Sequence, residues 1–146
     1  MVEAGLICGA IEATTPMWYG QMNESPAVPI IAVVDDDQSV RESVAALVES
    51  VGYQVVTFGS AEDFLGSLDN LEGLNCMILD VRLPGISGVE LYSRIGKSRS
   101  IPAIFITAHP DPILATKPGI VAVLYKPFEP EVLLKAARSA IRQSSS

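Results

Sequence analysis

Short apolar runs alternate with amphipathic segments along most of this chain. The runs are rich in Val and Ile and predict strands at residues 30–34, 54–58, 75–79, 102–106 and 121–125. The segments between and after them predict helices at residues 38–51, 60–69, 87–96 and 129–142. Strands that alternate with helices build a parallel sheet covered on both faces. The pattern therefore predicts one α/β domain.

The first and last of these helices have the clearest apolar stripes. The stripe of the first helix consists of Val40, Val44, Leu47, Val48 and Val51. The stripe of the last helix consists of Val132, Leu133, Ala136 and Ala140. Ser39 and Glu42 have the spacing of a capping box, and Gly52 can end the first helix in the left-handed conformation. We expect both stripes to pack on the sheet.

The connection between the fourth and fifth strands is unusual. It has only residues 108–120 for a parallel crossover, which needs about a dozen residues or more. Pro110, Pro112 and Pro118 fall within it, and Pro118 opposes continuation of a helix. We therefore predict a shortened or irregular fourth helix near residues 111–117.

The N-terminal segment differs from the rest of the chain. Residues 1–28 have no sustained period and contain several Gly and Pro, which predicts a weakly structured extension before a domain at residues 29–146. No run reaches the roughly 18 to 20 apolar residues that a membrane span needs. Cys8 and Cys76 lie far apart and fit a reducing cytoplasm, where we expect this protein to act without membrane contact.

Composition limits the partners. With 49% hydrophobic residues, the 146-residue chain is too apolar for a disordered protein and large enough for one core. Its net charge of −7 and scattered basic residues argue against direct nucleic acid binding, because neutralising phosphates requires clustered Lys and Arg. A protein partner is therefore favoured over DNA or RNA.

Four apolar runs each end in a residue suited to phosphoryl chemistry. IIAVV precedes Asp35 and Asp36, CMIL precedes Asp80, AIFI precedes Thr107 and VAVLY precedes Lys126. Ligands of open α/β sheets bind outside the carboxyl ends of the strands. If the four runs share one parallel sheet, these five side chains converge on one site.

The residue types indicate roles at such a site. Asp80 is the candidate phosphoacceptor, because a carboxylate can attack a phosphoryl group and form an aspartyl phosphate. Asp35 and Asp36 would bind a cation with Asp80, and Mg²⁺ is favoured because these ligands are hard oxygens. Thr107 can donate a hydrogen bond to a phosphoryl oxygen, and Lys126 can pair with the acids or the phosphate.

Each residue alone also fits a structural role. An acidic run such as Asp35–Asp37 is often a solvated helix start, and Asp80 after a strand is often a turn or cap residue. Thr107 and Lys126 can simply end their strands. The joint placement of all of them favours the functional interpretation.

In this order the residues resemble the receiver domain of bacterial two-component response regulators, particularly receivers joined to FixJ-like or NarL-like output domains. The resemblance extends from about Pro29 to Ser139. It is carried by the segments VVDDDQSVRES, GYQVVTFGSAEDFL, LDVRLPGISGVEL, FITAH and LYKPFEPEVLL. It implies a flavodoxin-like, doubly wound (βα)5 fold with the strand order 2-1-3-4-5 of the chemotaxis receiver.

The resemblance also implies the site. It makes Asp80 the phosphorylated residue, Thr107 the switch hydroxyl and Lys126 the lysine of the phosphorylation site. The peptide from Lys126 to Pro127 is then expected to be cis. Arg82 would give its backbone carbonyl to Mg²⁺. The other implied metal ligands are the carboxylates of Asp35, Asp36 and Asp80.

Two features depart from the family. The switch aromatic normally stands three residues before the lysine, where this chain has Val123, and Tyr125 is the nearest aromatic on the same alternating face. The second departure is the shortened crossover between the fourth and fifth strands. Both fall on a surface that receivers use for dimerisation or output.

These observations predict a signalling phosphoacceptor rather than an enzyme with turnover. We expect it to take phosphate from a histidine kinase or phosphotransfer protein, and to act through an unknown output protein, with a homodimer as a further possibility. It can also be the receiver fragment of a longer transcription regulator. A phosphate-independent interaction module is the main alternative. A small phosphohydrolase has less support, because no second acid/base residue is evident near Asp80.

Overall fold

The computed structural model describes residues 28–109, 114 and 117–145. The strands are β1 (Ile30–Val34), β2 (Gln54–Phe58), β3 (Leu74–Asp80), β4 (Ala103–Thr107) and β5 (Ile120–Tyr125). The helices are α1 (Gln38–Glu49), α2 (Ala61–Ser67), α3 (Gly88–Gly96) and α4 (Pro130–Ser145). A short 3-10 turn, Leu68–Asn70, follows α2. The predicted strands and these four helices are confirmed, with boundaries that differ by up to three residues.

The five strands form one parallel sheet in the order β2-β1-β3-β4-β5, as the resemblance implied. The order reverses between β1 and β3, and this switch point creates a crevice at the carboxyl ends of those strands. Asp35 follows β1 directly, and Asp80 is the last residue of β3. The topology alone therefore brings the first acidic residue close to the candidate phosphoacceptor.

Side chains of the sheet alternate between two apolar layers. Phe105 of β4 joins the layer that contains Phe64 of α2 and Leu91 of α3. Its neighbours Ile104 and Ile106 join the other layer, with Val48 of α1 and with residues of α4. Because both faces are covered, the strands are nearly continuous in apolar residues. This rigid sheet carries the site at its carboxyl edge.

The start and end of α1 differ from the prediction. Its N-cap is Asp37, whose side chain accepts hydrogen bonds from the backbone N–H groups of Ser39 and Val40, so Ser39 does not cap the helix. The helix ends at Glu49, and Val51 lies beyond it with an exposed side chain. Asp37 prevails because an aspartate at this position satisfies two N–H groups of the first turn.

One residue of the last predicted stripe also faces the other way. Leu133, Ala136 and Ala140 of α4 are buried against the sheet, whereas Val132 is 46% exposed. Val132 directly precedes Leu133, and a single helical step of about 100° turns a side chain from the buried to the exposed side. The stripe is thus narrower than predicted.

The shortened helix predicted near residues 111–117, between β4 and β5, lies mostly outside the described residues. Residues 1–27 of the predicted extension lie outside them as well. Leu114 is described, and its side chain is buried in the layer that contains Phe105. The end of this crossover is attached to α3, because the hydroxyl of Tyr92 donates a hydrogen bond of 2.6 Å to the carbonyl of Pro118.

Within the residues that the structure describes, no helix has both the length and the apolar character that crossing a bilayer demands.

Candidate functional site

The three predicted acidic residues meet at the carboxyl edge of the sheet. Asp35, Asp36 and Asp80 each offer a carboxylate oxygen, and these oxygens lie within 4.8 Å of one another. Asp35 and Asp80 are buried, with 2% and 7% of their surfaces exposed, and Asp36 is exposed. Two carboxylates about 4 Å apart repel each other by roughly 4 kcal/mol at an effective dielectric constant near 20. The cluster is therefore a natural place for a cation.

Each polar group of Asp35 has a partner. Its backbone N–H donates to the carbonyl of Phe58 at 3.2 Å, and its own carbonyl accepts a bond of 2.7 Å from Nη1 of Arg41. Its Oδ1 accepts from the backbone N–H of Asp37 at 2.9 Å. Its Oδ2 lies 3.4 Å from Nζ of Lys126. Asp35 is thus fixed both in its backbone and in its side chain.

Lys126 links the two buried acids. Its Nζ lies 3.1 Å from Oδ2 of Asp80 in addition to its contact with Asp35. Burial alone would lower the pKa of Lys126, but the hydrogen bond to Asp80 and the negative charges of both acids outweigh burial and raise this pKa. Lys126 is therefore a cation at neutral pH. The peptide from Lys126 to Pro127 is cis, as the resemblance implied.

The ionised form of Asp35 is disfavoured in this arrangement. Burial raises the pKa of Asp35 above its ordinary value, and the negative charge of Asp80 raises it further. The hydrogen bond from Asp37 and the charge of Lys126 lower this pKa but do not cancel the increase. One lysine thus compensates the acidic cluster only partly. The donor set of three carboxylates fits Mg²⁺, which prefers hard oxygen ligands.

Arg82 is held next to Asp80 by its backbone. Its N–H donates a hydrogen bond of 3.0 Å to Oδ1 of Asp80, while its side chain is exposed. This bond orients the carboxylate of Asp80 and brings the backbone of Arg82 to the acidic cluster. That its carbonyl binds a metal stays a prediction.

Thr107 lies at the end of β4 and is 99% buried, with 1% of its surface exposed. Its Oγ1 donates a hydrogen bond of 3.0 Å to the carbonyl of His109 and accepts one of 3.1 Å from the N–H of the same residue. A hydroxyl has a single proton to donate. Donation to a phosphoryl oxygen therefore requires that Thr107 releases the carbonyl of His109.

Val123 stands where the family normally has its switch aromatic, and its side chain packs against the core. Val123 is half-buried against the layer that contains Phe105, whereas Tyr125 is 46% exposed and pairs in register with Thr107. The ring of Tyr92, from α3, packs edge-on against Phe105 with 5.9 Å between the ring centroids. Tyr92 therefore supplies an aromatic ring beside β4, and Tyr125 projects from the end of β5.

Sequence reasoning missed three residues that support the site. Arg41 binds the carbonyl of Asp35, and Oε2 of Glu62 accepts a bond of 3.1 Å from the N–H of Ile86, in the loop after Asp80. Gly88 packs so closely on the backbone of Asp80 that a Cβ would overlap its carbonyl oxygen. The spacing of the chain gives no signal for these contacts between elements, although all three residues lie in segments that carry the resemblance.

Known proteins are similar to this chain in sequence and in fold. A family model described as the response regulator receiver domain matches residues 31–138. Nodulation protein W of Bradyrhizobium diazoefficiens is 42% identical over 129 residues, which cover 84% of this chain and 56% of that protein. The transcriptional regulatory protein FixJ of the same organism is 41% identical over 118 residues, covering 78% of this chain and 57% of that protein.

A solved structure agrees with these relatives. The response regulator StyR superimposes with a TM-score of 0.73 at 41% identity, covering 82% of this chain and 62% of that one. This chain therefore spans little more than half the length of the curated relatives it matches. The part matched by the family model includes every predicted site residue and the whole sheet except Ile30, the first residue of β1. The chain belongs to the receiver domain family of two-component response regulators.

Proposed function

We propose that this chain accepts a phosphoryl group on Asp80, from a histidine kinase or a phosphotransfer protein, and that the transfer depends on Mg²⁺. The observation that carries the proposal is the convergence of three carboxylates and Lys126 at the switch point of the sheet. Lys126 and the backbone N–H of Arg82 hold the carboxylate of Asp80, and Asp35 has equivalent contacts with Lys126 and the N–H of Asp37. We assign the nucleophile to Asp80 because it ends the central strand β3, where the family resemblance has the phosphorylated residue.

The residues divide the chemistry among them. A carboxylate oxygen of Asp80 forms a bond to phosphorus as the bond to the donor's leaving group breaks, and the donor keeps that electron pair. Asp35, Asp36, Asp80 and the carbonyl of Arg82 would hold Mg²⁺, which neutralises charge on the phosphoryl oxygens when bound. The ammonium group of Lys126, which contacts Asp80 before the transfer, would contact the phosphoryl group after it. Thr107 would donate its hydroxyl proton to a phosphoryl oxygen.

The output of this receiver is proposed to be a contact with protein rather than nucleic acid or membrane. The site borders β4 and β5, where Thr107 pairs with the exposed Tyr125. Release of the His109 carbonyl by Thr107 would alter this edge. The contact can be made with a separate protein, with a covalently attached output domain, or with a second copy of the chain.

The test is covalent labelling of the full 146-residue chain. We expect incubation with acetyl phosphate to add a single phosphate in the presence of Mg²⁺ and none in the presence of EDTA, as measured by intact mass. A well-characterised receiver is labelled in parallel to show that the donor is active. An unlabelled chain beside a labelled reference would contradict the proposal and favour an interaction module that works without phosphate.

The proposed metal site makes a prediction about stability. Because the pKa of Asp35 is raised in the folded state, its contribution to stability is present below the ordinary pKa of about 3.9 and is lost as pH rises through the raised value. At pH 7 in EDTA, Asp35→Asn is therefore expected to melt at a higher temperature than the wild type. In the wild type, Mg²⁺ at a hundred times its Kd stabilises the fold by about 2.7 kcal/mol, provided that it binds only the folded state.

The charge of Asp35 is thus expected to lower the melting temperature without metal and to permit stabilisation by Mg²⁺, and both effects are measured in the same melting experiment. Mg²⁺ is expected to raise the melting temperature of the wild type and to leave that of Asp35→Asn nearly unchanged. Equal Mg²⁺ shifts in both proteins would show that Asp35 is not a ligand. A lower melting temperature of Asp35→Asn in EDTA would show that the charge of Asp35 stabilises the metal-free fold.

A further inference from the structure

We propose that Arg41 is a positioning residue for the acidic pair, an inference that rests on the proposed Mg²⁺-dependent phosphorylation. Arg41 belongs to α1 and stands six residues after Asp35. Its Nη1 donates a hydrogen bond of 2.7 Å to the backbone carbonyl of Asp35. Hydrogen bonds from a charged donor are roughly twice as strong as neutral ones. Arg41 thus acts on the site through the backbone and not by direct contact with phosphate.

The bonded oxygen belongs to the peptide that joins Asp35 to Asp36. A peptide group is planar, so fixing its oxygen fixes the whole unit up to the Cα atom of Asp36. The two neighbouring N–H groups are also held, that of Asp35 by Phe58 and that of Asp37 by Oδ1 of Asp35. Arg41 therefore fixes the carbonyl in the middle of a backbone turn whose two flanking N–H groups already have partners. The exposed side chain of Asp36 projects from this turn, so the conformation of the turn sets the direction of that side chain.

Arg41 is itself confined. Its backbone N–H is bonded to the carbonyl of Asp37 at 2.9 Å, and its side chain is half-buried. The guanidinium also lies close to Gly59 in the turn after β2, because a Cβ built on Gly59 would lie 3.4 Å from Nη1, at van der Waals distance. A larger side chain at position 59 would therefore meet the guanidinium. The arginine therefore joins the end of β1, the start of α1 and the turn after β2.

The charge of Arg41 contributes as well. Lys126 contacts the carboxylates of Asp35 and Asp80 from the β5 side. Arg41 brings a second cation to the backbone of Asp35 from the α1 side. The charge of the guanidinium strengthens its hydrogen bond to the Asp35 carbonyl relative to a bond from a neutral donor. Loss of Arg41 is expected to loosen the turn and to remove this charge.

The test compares arginine variants at two places in the full chain. Arg41→Gln removes the charge and the reach to Asp35, and Arg41→Lys keeps the charge with a single ammonium. The matched control is Arg99→Gln, because Arg99 is also half-buried and also donates to backbone carbonyls, those of Leu68 and Leu71 at 3.1 and 2.7 Å. Mg²⁺ affinity is measured by isothermal titration calorimetry, and stability by urea unfolding in EDTA. The rate of labelling by acetyl phosphate is measured by intact mass at limiting Mg²⁺.

We expect Arg41→Gln to weaken Mg²⁺ binding about tenfold, as is typical when an outer-shell partner of a metal ligand is removed. Labelling at limiting Mg²⁺ should slow with it and recover at saturating Mg²⁺. Arg41→Lys should bind Mg²⁺ with an affinity between those of Arg41→Gln and the wild type. Arg99→Gln should lose stability and keep the Mg²⁺ affinity of the wild type.

Four results would overturn the assignment or its basis, and they are distinct. Wild-type Mg²⁺ affinity in Arg41→Gln shows that Arg41 positions nothing. Equal weakening in Arg99→Gln shows a general loss of stability instead of positioning. If Arg41→Gln fails to fold, wild-type affinity in Arg41→Lys decides against the assignment. A wild type that neither binds Mg²⁺ nor accepts phosphate contradicts the proposed function itself.

Discussion

Asp80→Asn is expected to abolish phosphorylation of this chain. The substitution keeps the size of the side chain but replaces the nucleophilic carboxylate with an amide, which cannot form the acyl phosphate. The N–H of Arg82 keeps an acceptor, because an amide carbonyl oxygen can take the place of Oδ1. Lys126 keeps its contact with Asp35. The intact mass after incubation with acetyl phosphate and Mg²⁺ should therefore be unchanged in a folded protein.

The matched control for this variant is Asp37→Asn. Asp37 lies beside the cluster and caps α1 through the N–H groups of Ser39 and Val40, and asparagine caps a helix about as well as aspartate. Asp37→Asn removes the same charge from the same edge of the sheet and should be labelled like the wild type. Phosphate on Asp80→Asn at the wild-type level would place the acceptor elsewhere. Loss of labelling in both variants would attribute the effect to charge alone.

The strands and the convergence of the site could be predicted because both depend on local pattern. A run such as IIAVV has no polar residue to expose, so it must be covered on both faces, and this requires the parallel α/β arrangement. Once that sheet exists, Asp35, Asp80, Thr107 and Lys126 follow as residues at or just beyond the ends of strands. Their convergence is a property of the topology and needs no knowledge of side-chain contacts.

The ends of α1 show where local pattern is insufficient. Ser39 with Glu42 fits a capping box, in which the side chain of Glu42 would accept from the N–H of Ser39. Asp37 comes earlier in the chain and accepts from that N–H instead, while Glu42 accepts a hydrogen bond from Gln38. Two acceptable caps within three residues give the same sequence signal, and only the backbone path from Asp35 into the helix decides between them.

The roles of Arg41, Glu62 and Gly88 could not be predicted because they depend on how separate elements of the fold pack together. The side chain of Arg41 lies close to Gly59 in the turn after β2. The side chain of Glu62 accepts a hydrogen bond from a loop 24 residues further along the chain. Gly88 could equally have been a helix start without a close neighbour. Such contacts require the packed arrangement of α2, α3 and the sheet, which periodicity does not specify.

Gly88→Ala is expected to destabilise the fold and to disturb Asp80 at the same time. A Cβ at Gly88 would overlap the carbonyl oxygen of Asp80 and lie 3.0 Å from its carbonyl carbon and 3.2 Å from the Cα of Val81. These are backbone atoms, and the N–H of Gly88 is also bonded to the carbonyl of Val81 at 3.0 Å. Overpacking of this kind costs about 1 to 3 kcal/mol. Urea unfolding in EDTA should show this loss in the free energy of unfolding, and labelling by acetyl phosphate should slow.

Gly96→Ala is the matched control at the other end of the same helix. A Cβ at Gly96 would meet no heavy atom of the described residues within 4 Å. Alanine has a higher helix propensity than glycine and restricts the unfolded chain more, so this variant should gain up to about 1 kcal/mol. The same substitution is thus expected to have opposite effects on stability at the two ends of α3. If the two variants were equally stable and equally labelled, the close approach of Gly88 would not constrain the loop that carries Asp80, and the orientation of Asp80 would depend on Lys126 and Arg82 alone.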